Sequence, residues 1–134
     1  MALQVDIERP GAATNHTASV LVVDDDPDIR EMMGMLLDFE GYAVRLAEHG
    51  QAALDDLHAN PRPCCIVLDL QMPIMDGWAF RAAQRRDAAL ADIPVIVVTA
   101  SHDVAAVAAL HAAAYLKKPF TLEQLLPLLR QMCH

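Results

Sequence analysis

No stretch of this sequence reaches the roughly 18 continuous apolar residues that a membrane-spanning helix needs. The N-terminus, which carries Asp6, Glu8 and Arg9, lacks the apolar core of a secretory signal. Membrane insertion and export therefore have no segment to perform them, and a cytoplasmic location is expected. Basic charge is also scarce: 10 Lys and Arg stand against 18 Asp and Glu, for a net charge of -8. Because the longest basic runs are pairs, neither nucleic acid nor an anionic membrane would meet a patch of matching sign. The few cysteines, Cys64, Cys65 and Cys133, make no C-x-x-C pair and no disulfide framework. Free thiols in a reducing compartment are expected from them.

What is present is one domain's worth of alternating apolar patterns, 134 residues in all, enough to bury a core without staples. Residues 1–18, with Pro10, Gly11 and a small-polar run, show no sustained period and read as a flexible tail. The fold is expected over 19–134. It starts with an apolar run from Val20 to Val23, followed by a 3.6-period segment with Ile29, Met32, Met33, Leu36 and Leu37 on one face, closed by Gly41. The unit then repeats: "YAVRLA" (42–47) alternates as a half-buried strand, and "GQAALDDLHAN" (50–60) sets Ala53, Leu54 and Leu57 on a helix face. "CCIVLDL" (64–70) and "PVIVVTA" (94–100) are continuous apolar runs, as strands covered on both sides would be. Between them the pattern predicts a helix from about Trp78 to Arg86 with Ala79, Phe80 and Ala83 inward. A short alanine-rich helix (103–111), a strand "AAYLKK" and a last helix opened by the capping-box spacing of Thr121 and Gln124 complete the chain. Five β-α units in strict alternation predict a parallel sheet with helices on both faces.

In such an open α/β sheet, ligands bind beyond the carboxyl ends of the strands. The first strand ends in Asp24-Asp25, the third in Asp69, the fourth in Thr99 and the fifth in Lys118, whereas the second ends in Leu46-Ala47. A strand order of 2-1-3-4-5 would make the second strand an edge and bring the other four ends into one pocket. Three converging carboxylates need a cation, and all-oxygen ligation suits Mg²⁺.

The motifs "VLVVDDDPD", "VLDLQMPIMDG", "VVTA" and "YLKKPF" occur in that order. Together they resemble the receiver domain of two-component response regulators, over essentially all of residues 19–132. That resemblance implies a flavodoxin-like, CheY-like fold and a phosphoacceptor signalling domain, not an enzyme acting on external substrates. It implies that Asp69 accepts a phosphoryl group from a histidine kinase or histidine phosphotransfer protein. Asp24 and Asp25, with Asp69 and the main-chain carbonyl of Gln71, would hold Mg²⁺; Thr99 and Lys118 would contact the phosphoryl group. Tyr115 would couple with Thr99 as a switch, and an unknown downstream protein would dock on the surface of helix 4, strand 5 and helix 5. A single-domain regulator acting as a protein-interaction switch is the expected function.

Other readings are weaker on the same residues. A magnesium-dependent phosphohydrolase with an aspartyl nucleophile would carry a second aspartate where Gln71 stands. A pseudo-receiver would have lost some of the five site side chains. Asp26 and Asp28 flank Pro27 at a helix start, where capping and dipole compensation account for them. The Asp24-x-Asp26-x-Asp28 spacing mimics a calcium loop, but Ile29 stands where Gly is needed and Met35 where Glu is needed. The six histidines make no i, i+4 pair. Departures from the resemblance lie near the output surface: no glycine precedes the fifth strand, the fourth helix is short, and Pro127 within the last helix should kink or shorten it.

Overall fold

The computed structural model describes residues 18–133; the expected N-terminal tail lies almost wholly outside them. Ten elements alternate along the described residues: β1 (Ser19–Val23), α1 (Pro27–Phe39), β2 (Ala43–Ala47), α2 (Gly50–Ala59), β3 (Cys65–Asp69), α3 (Gly77–Arg86), β4 (Val95–Thr99), α4 (Val104–Ala108), β5 (Ala114–Lys117) and α5 (Leu122–Met132). The five strands form one parallel sheet in the order β2-β1-β3-β4-β5, as expected. Alternate residues of the strands feed two cores. Leu21, Ile66, Leu68, Val95 and Val97 pack with Ala53, Leu57 and Phe80 of α2 and α3. Val20, Val22, Val67, Ile96 and Val98 pack with Met33 and Leu37 of α1 and with Leu125 and Leu129 of α5. No helix among the described residues is long and apolar enough to cross a membrane.

The local signals explain the helix ends. Asp26 caps α1 by accepting from the backbone N–H groups of Asp28 and Ile29, which satisfies donors the first turn leaves free. Gly41, at φ +97°, closes that helix in a conformation that suits glycine. Thr121 and Gln124 make the expected capping box, and α5 runs on through Pro127 to Met132. The proline neither ends the helix nor leaves the core short of a contact, because its ring sits on the exposed face.

Three expectations are corrected. On α1 only Met33 and Leu37 are buried; Met32 is 53% and Leu36 37% exposed. The helix lies over the β1–β2 end of the sheet, so only its i, i+4 stripe reaches the strands. On α3 the inner face holds Phe80 with Arg81 and Gln84, whereas Ala79 is exposed. Arg81 donates from Nε to the Leu110 carbonyl (3.0 Å), from Nη2 to the His111 carbonyl (2.9 Å) and from Nη1 to Gln84 Oε1 (2.7 Å). Gln84 Nε2 in turn donates to the carbonyls of Leu90 and Ile93. This network fixes the turn where glycine was missed: His111 itself takes the left-handed conformation, φ +51°, at a cost of about 1 kcal/mol or more that its anchored carbonyl offsets. Third, Cys64 and Cys133 are joined by a disulfide and only Cys65 is free. The two lie 69 positions apart in sequence, and it is the folding of α5 back across the sheet that brings its C-terminal end beside the start of β3.

Candidate functional site

Parallel register sets which side chains meet at the carboxyl-end rim. Val23 pairs with Leu68, so the next residues, Asp24 and Asp69, emerge side by side. Asp69 pairs with Val98 and Thr99 with Lys117, so Thr99 lies one step further along and Lys118 one step beyond Thr99. A backbone hydrogen bond from Lys118 N–H to the Thr99 carbonyl (2.9 Å) ties those last two together. The Lys118–Pro119 peptide bond is cis.

Asp24, Asp25 and Asp69 each offer an oxygen, all within 4.8 Å of one another. Asp24 and Asp69 are buried, 4% and 6% exposed, while Asp25 is open to solvent. Lys118 Nζ stands 3.4 Å from Asp24 Oδ2 and 3.4 Å from Asp69 Oδ1. Backbone donors hold the rest: Asp26 N–H to Asp24 Oδ1 (2.9 Å), and Leu70 N–H to Asp69 Oδ1 (2.8 Å). Arg30 Nη1 donates to the Asp24 carbonyl at 2.8 Å, which ties α1 to the end of β1. Burial pushes the Asp69 carboxyl above its ordinary value; Lys118 opposes this and Asp24 adds to it. With all three carboxylates ionised, one lysine leaves the cluster two negative charges in excess. That excess and the hard oxygen donor set fit one Mg²⁺.

Thr99 is buried at the end of β4, and its Oγ1 accepts from the Ser101 N–H (3.0 Å). Tyr115 lies outward: it is 41% exposed and its hydroxyl accepts from the Ala112 N–H (2.9 Å). A cavity of about 270 Å³ lies between them, lined also by Val104, Val107 and Lys117. Lys117 is exposed and pairs with His102 Nδ1, on the opposite side of β5 from the sheet's α5 core.

One contributor went unread in the sequence. A Cβ on Gly77 would stand 2.6 Å from the Asp69 carbonyl oxygen and 2.7 Å from Leu70 Cα. Gly77 also donates its N–H to the Leu70 carbonyl (2.8 Å). No side chain fits there, so the start of α3 closes directly onto the backbone of Asp69 and Leu70. The Asp-Gly step before the helix was the available signal.

Residues 20–130 match the family described as the response regulator receiver domain. The chain belongs to that family. Response regulator MprA of Mycobacterium sp. (strain KMS) is 45% identical over 116 residues, which are 84% of this chain and 49% of that protein. MprA of Mycobacterium avium (strain 104) is 43% identical over 116 residues, 84% and 50% respectively. This receiver chain thus spans about half the length of the curated relatives it matches. Among solved structures, the chemotaxis response regulator CheY4 of Vibrio cholerae aligns with a TM-score of 0.79 at 32% identity, over 87% of this chain and 99% of that one. TrrA of Thermotoga maritima, solved in complex with Mg²⁺-BeF, aligns with a TM-score of 0.77 at 30% identity, over 87% and 99%. The fold is that of a CheY-like receiver, a signalling domain of two-component systems.

Proposed function

We propose that this receiver is a Mg²⁺-dependent phosphoryl acceptor for a histidine kinase or histidine phosphotransfer protein, with Asp69 as the acceptor. The observation that carries the reading is the buried Asp69 carboxylate standing within reach of both Lys118 and the Asp24–Asp25 pair at one rim. In the transfer, an Asp69 carboxylate oxygen forms a bond to phosphorus as the nitrogen–phosphorus bond of the phosphohistidine breaks. The electron pair leaves with the imidazole. Such a step asks little covalent help of the protein and much alignment and charge stabilisation. Lys118 neutralises an oxygen of the incoming group, and the Leu70 N–H holds the carboxylate in orientation. Asp24, Asp25, Asp69 and the main-chain carbonyl of Gln71 would hold Mg²⁺, which when bound offsets the charge gathering on the phosphoryl oxygens.

The receiver then works as an interaction switch in the cytoplasm, with a protein as its downstream partner and neither nucleic acid nor membrane bound by residues 19–134. The Thr99 hydroxyl turns from Ser101 toward the phosphoryl oxygens, and Tyr115 moves into the cavity beside it. The surface of α4, β5 and α5 changes accordingly. The test is incubation with Mg²⁺ and acetyl phosphate, followed by mass analysis. One phosphoryl group on Asp69 is expected, with none on Asp69→Asn; full labelling of that variant removes the assignment.

A further inference from the structure

The geometry points to Cys64 and Cys133 as a reversible thiol–disulfide site that fixes or frees the C-terminal end of α5. This goes beyond phosphoryl transfer and rests on the cytoplasmic part of the reading above. A bond between cysteines in that compartment is characteristically transient and redox-sensing, not structural.

Four features make the pair suited to both states. The Cα atoms are 5.3 Å apart, inside the range a disulfide spans without moving the backbone. Both residues are half-buried, so small oxidants and thiols reach them, whereas neighbouring Cys65 is 0% exposed. Cys64 Sγ lies 3.1 Å from the Ser19 carbonyl oxygen, so the reduced thiol finds an acceptor for its proton. Cys133 caps α5 one residue past its last turn, where a helix end can fray without disturbing the sheet.

The other side chains of α5 divide in the same way. Leu125, Leu126 and Leu129 are buried and hold the helix body in place. Beyond them, Met132 makes a half-buried contact with Cys65, sulfur to sulfur at 3.6 Å. The last turn therefore depends on the covalent link more than the first two do. Cys65 does not compete as a nucleophile: burial pushes its thiol up to about 12, so it stays protonated.

The chemistry balances with a peroxide as oxidant. One thiolate of the pair attacks a peroxide oxygen, breaking the O–O bond to give a sulfenic acid and, with a proton, water. The second thiolate attacks the sulfenic sulfur, the S–O bond breaks as hydroxide leaves and takes a proton to become the second water, and the S–S bond forms. Two electrons leave the pair of sulfurs and reduce the peroxide to two waters. The reverse step takes two electrons from two molecules of glutathione, which leave as glutathione disulfide.

The full chain is to be reduced, treated with hydrogen peroxide, and then returned to excess glutathione. At each stage it is denatured, alkylated with iodoacetamide and analysed by mass. Three alkylated cysteines are expected in the reduced state, one (Cys65) after peroxide with a 64–133 linkage, and three again after glutathione. Amide exchange from Arg130 to Cys133 should be at least tenfold slower in the oxidised form, and unchanged by peroxide in Cys133→Ser. Three free thiols after peroxide, a bond that persists in glutathione, or equal exchange in the two forms overturns the proposal. Acetyl phosphate labelling of Asp69 on the same samples keeps the two readings apart, since it fails or succeeds independently of the thiol count.

Discussion

At the base of the sheet, where strands begin, polar groups meet partners one for one. Arg81 and Gln84 satisfy four loop carbonyls, of Leu110, His111, Leu90 and Ile93. Arg62 pairs with Asp92 between the loops that precede β3 and β4, and Arg45 holds Asp56 and the Pro61 carbonyl. At the rim, where strands end, three carboxylates face one lysine. A cavity lies open between Thr99 and Tyr115. The same parallel sheet thus carries a closed set of contacts at one end and an open one at the other. Stability is invested where nothing has to move, and excess negative charge is kept at the rim where the proposed Mg²⁺ would sit.

Asp69→Asn, as above, should erase labelling and is the largest effect on the open end. Next comes Lys118→Ala, which removes the only cation that pairs with the carboxylates of both Asp24 and Asp69 among the described residues. Initial rates with acetyl phosphate should fall roughly 100- to 1,000-fold, the usual loss for one charge-stabilising donor, while thermal melting shifts little. An unchanged rate would move the neutralising role elsewhere.

The closed end is broken most severely by Arg81→Met. That change strands the Leu110 carbonyl and Gln84 Oε1 inside the fold and frees the part-buried His111 carbonyl, and urea unfolding should show a loss of about 3 kcal/mol, the scale of one or two unsatisfied buried groups. Acetyl phosphate labelling of whatever remains folded should be normal. A variant that kept its stability would show that water replaces the guanidinium.

Asp25→Asn sharpens the contrast, because it should act in opposite directions with and without metal. In Mg²⁺ at a hundred times the Kd, the wild type gains about 2.7 kcal/mol by mass action, and the variant should lose most of that gain. In EDTA the variant should match or exceed the wild type, since one of three crowded charges is gone. Equal Mg²⁺ affinity, read by calorimetry, would take Asp25 out of the ligand set.

The smallest effect belongs to Cys65. Its thiol titrates near 9.0 when unfolded but is pushed up to about 12 when folded. The unfolded chain therefore releases its proton first. The stability contribution is complete below pH 9.0 and declines as pH rises toward about 12, by about 1.4 kcal/mol at pH 10. Cys65→Val should lack that alkaline component; parallel pH profiles for the two proteins would contradict it.

The contrast also explains what could be read from the sequence. Strand order and the rim residues were legible because each apolar run ends in the side chain it delivers: Asp24, Asp69, Thr99 and Lys118 follow directly from where the runs stop. The base was not legible, since its contacts join loops distant in the chain. Arg81 and Gln84 sit three residues apart on a helix whose pattern predicts alanines inward, and their partners lie in two different loops. Met32 and Leu36 fit the periodicity of α1 but find no strand beneath them. The Cys64–Cys133 pairing depends wholly on α5 folding back across the sheet, which spacing in the sequence does not reveal.

That pairing also changes the chain's connectivity. With the bond closed, residues 64–133 form a covalent ring, and Asp69, Thr99 and Lys118 all lie on it. Asp24 and Asp25 sit on the linear arm that leads into the ring. A single proteolytic cut beside exposed Ile74 opens the ring without releasing a fragment, so Asp69, Thr99 and Lys118 stay on one molecule. A single cut ahead of Cys64 detaches the acidic arm once the fold is loosened. Oxidised protein is therefore nicked without loss on one side of residue 64 and severed on the other.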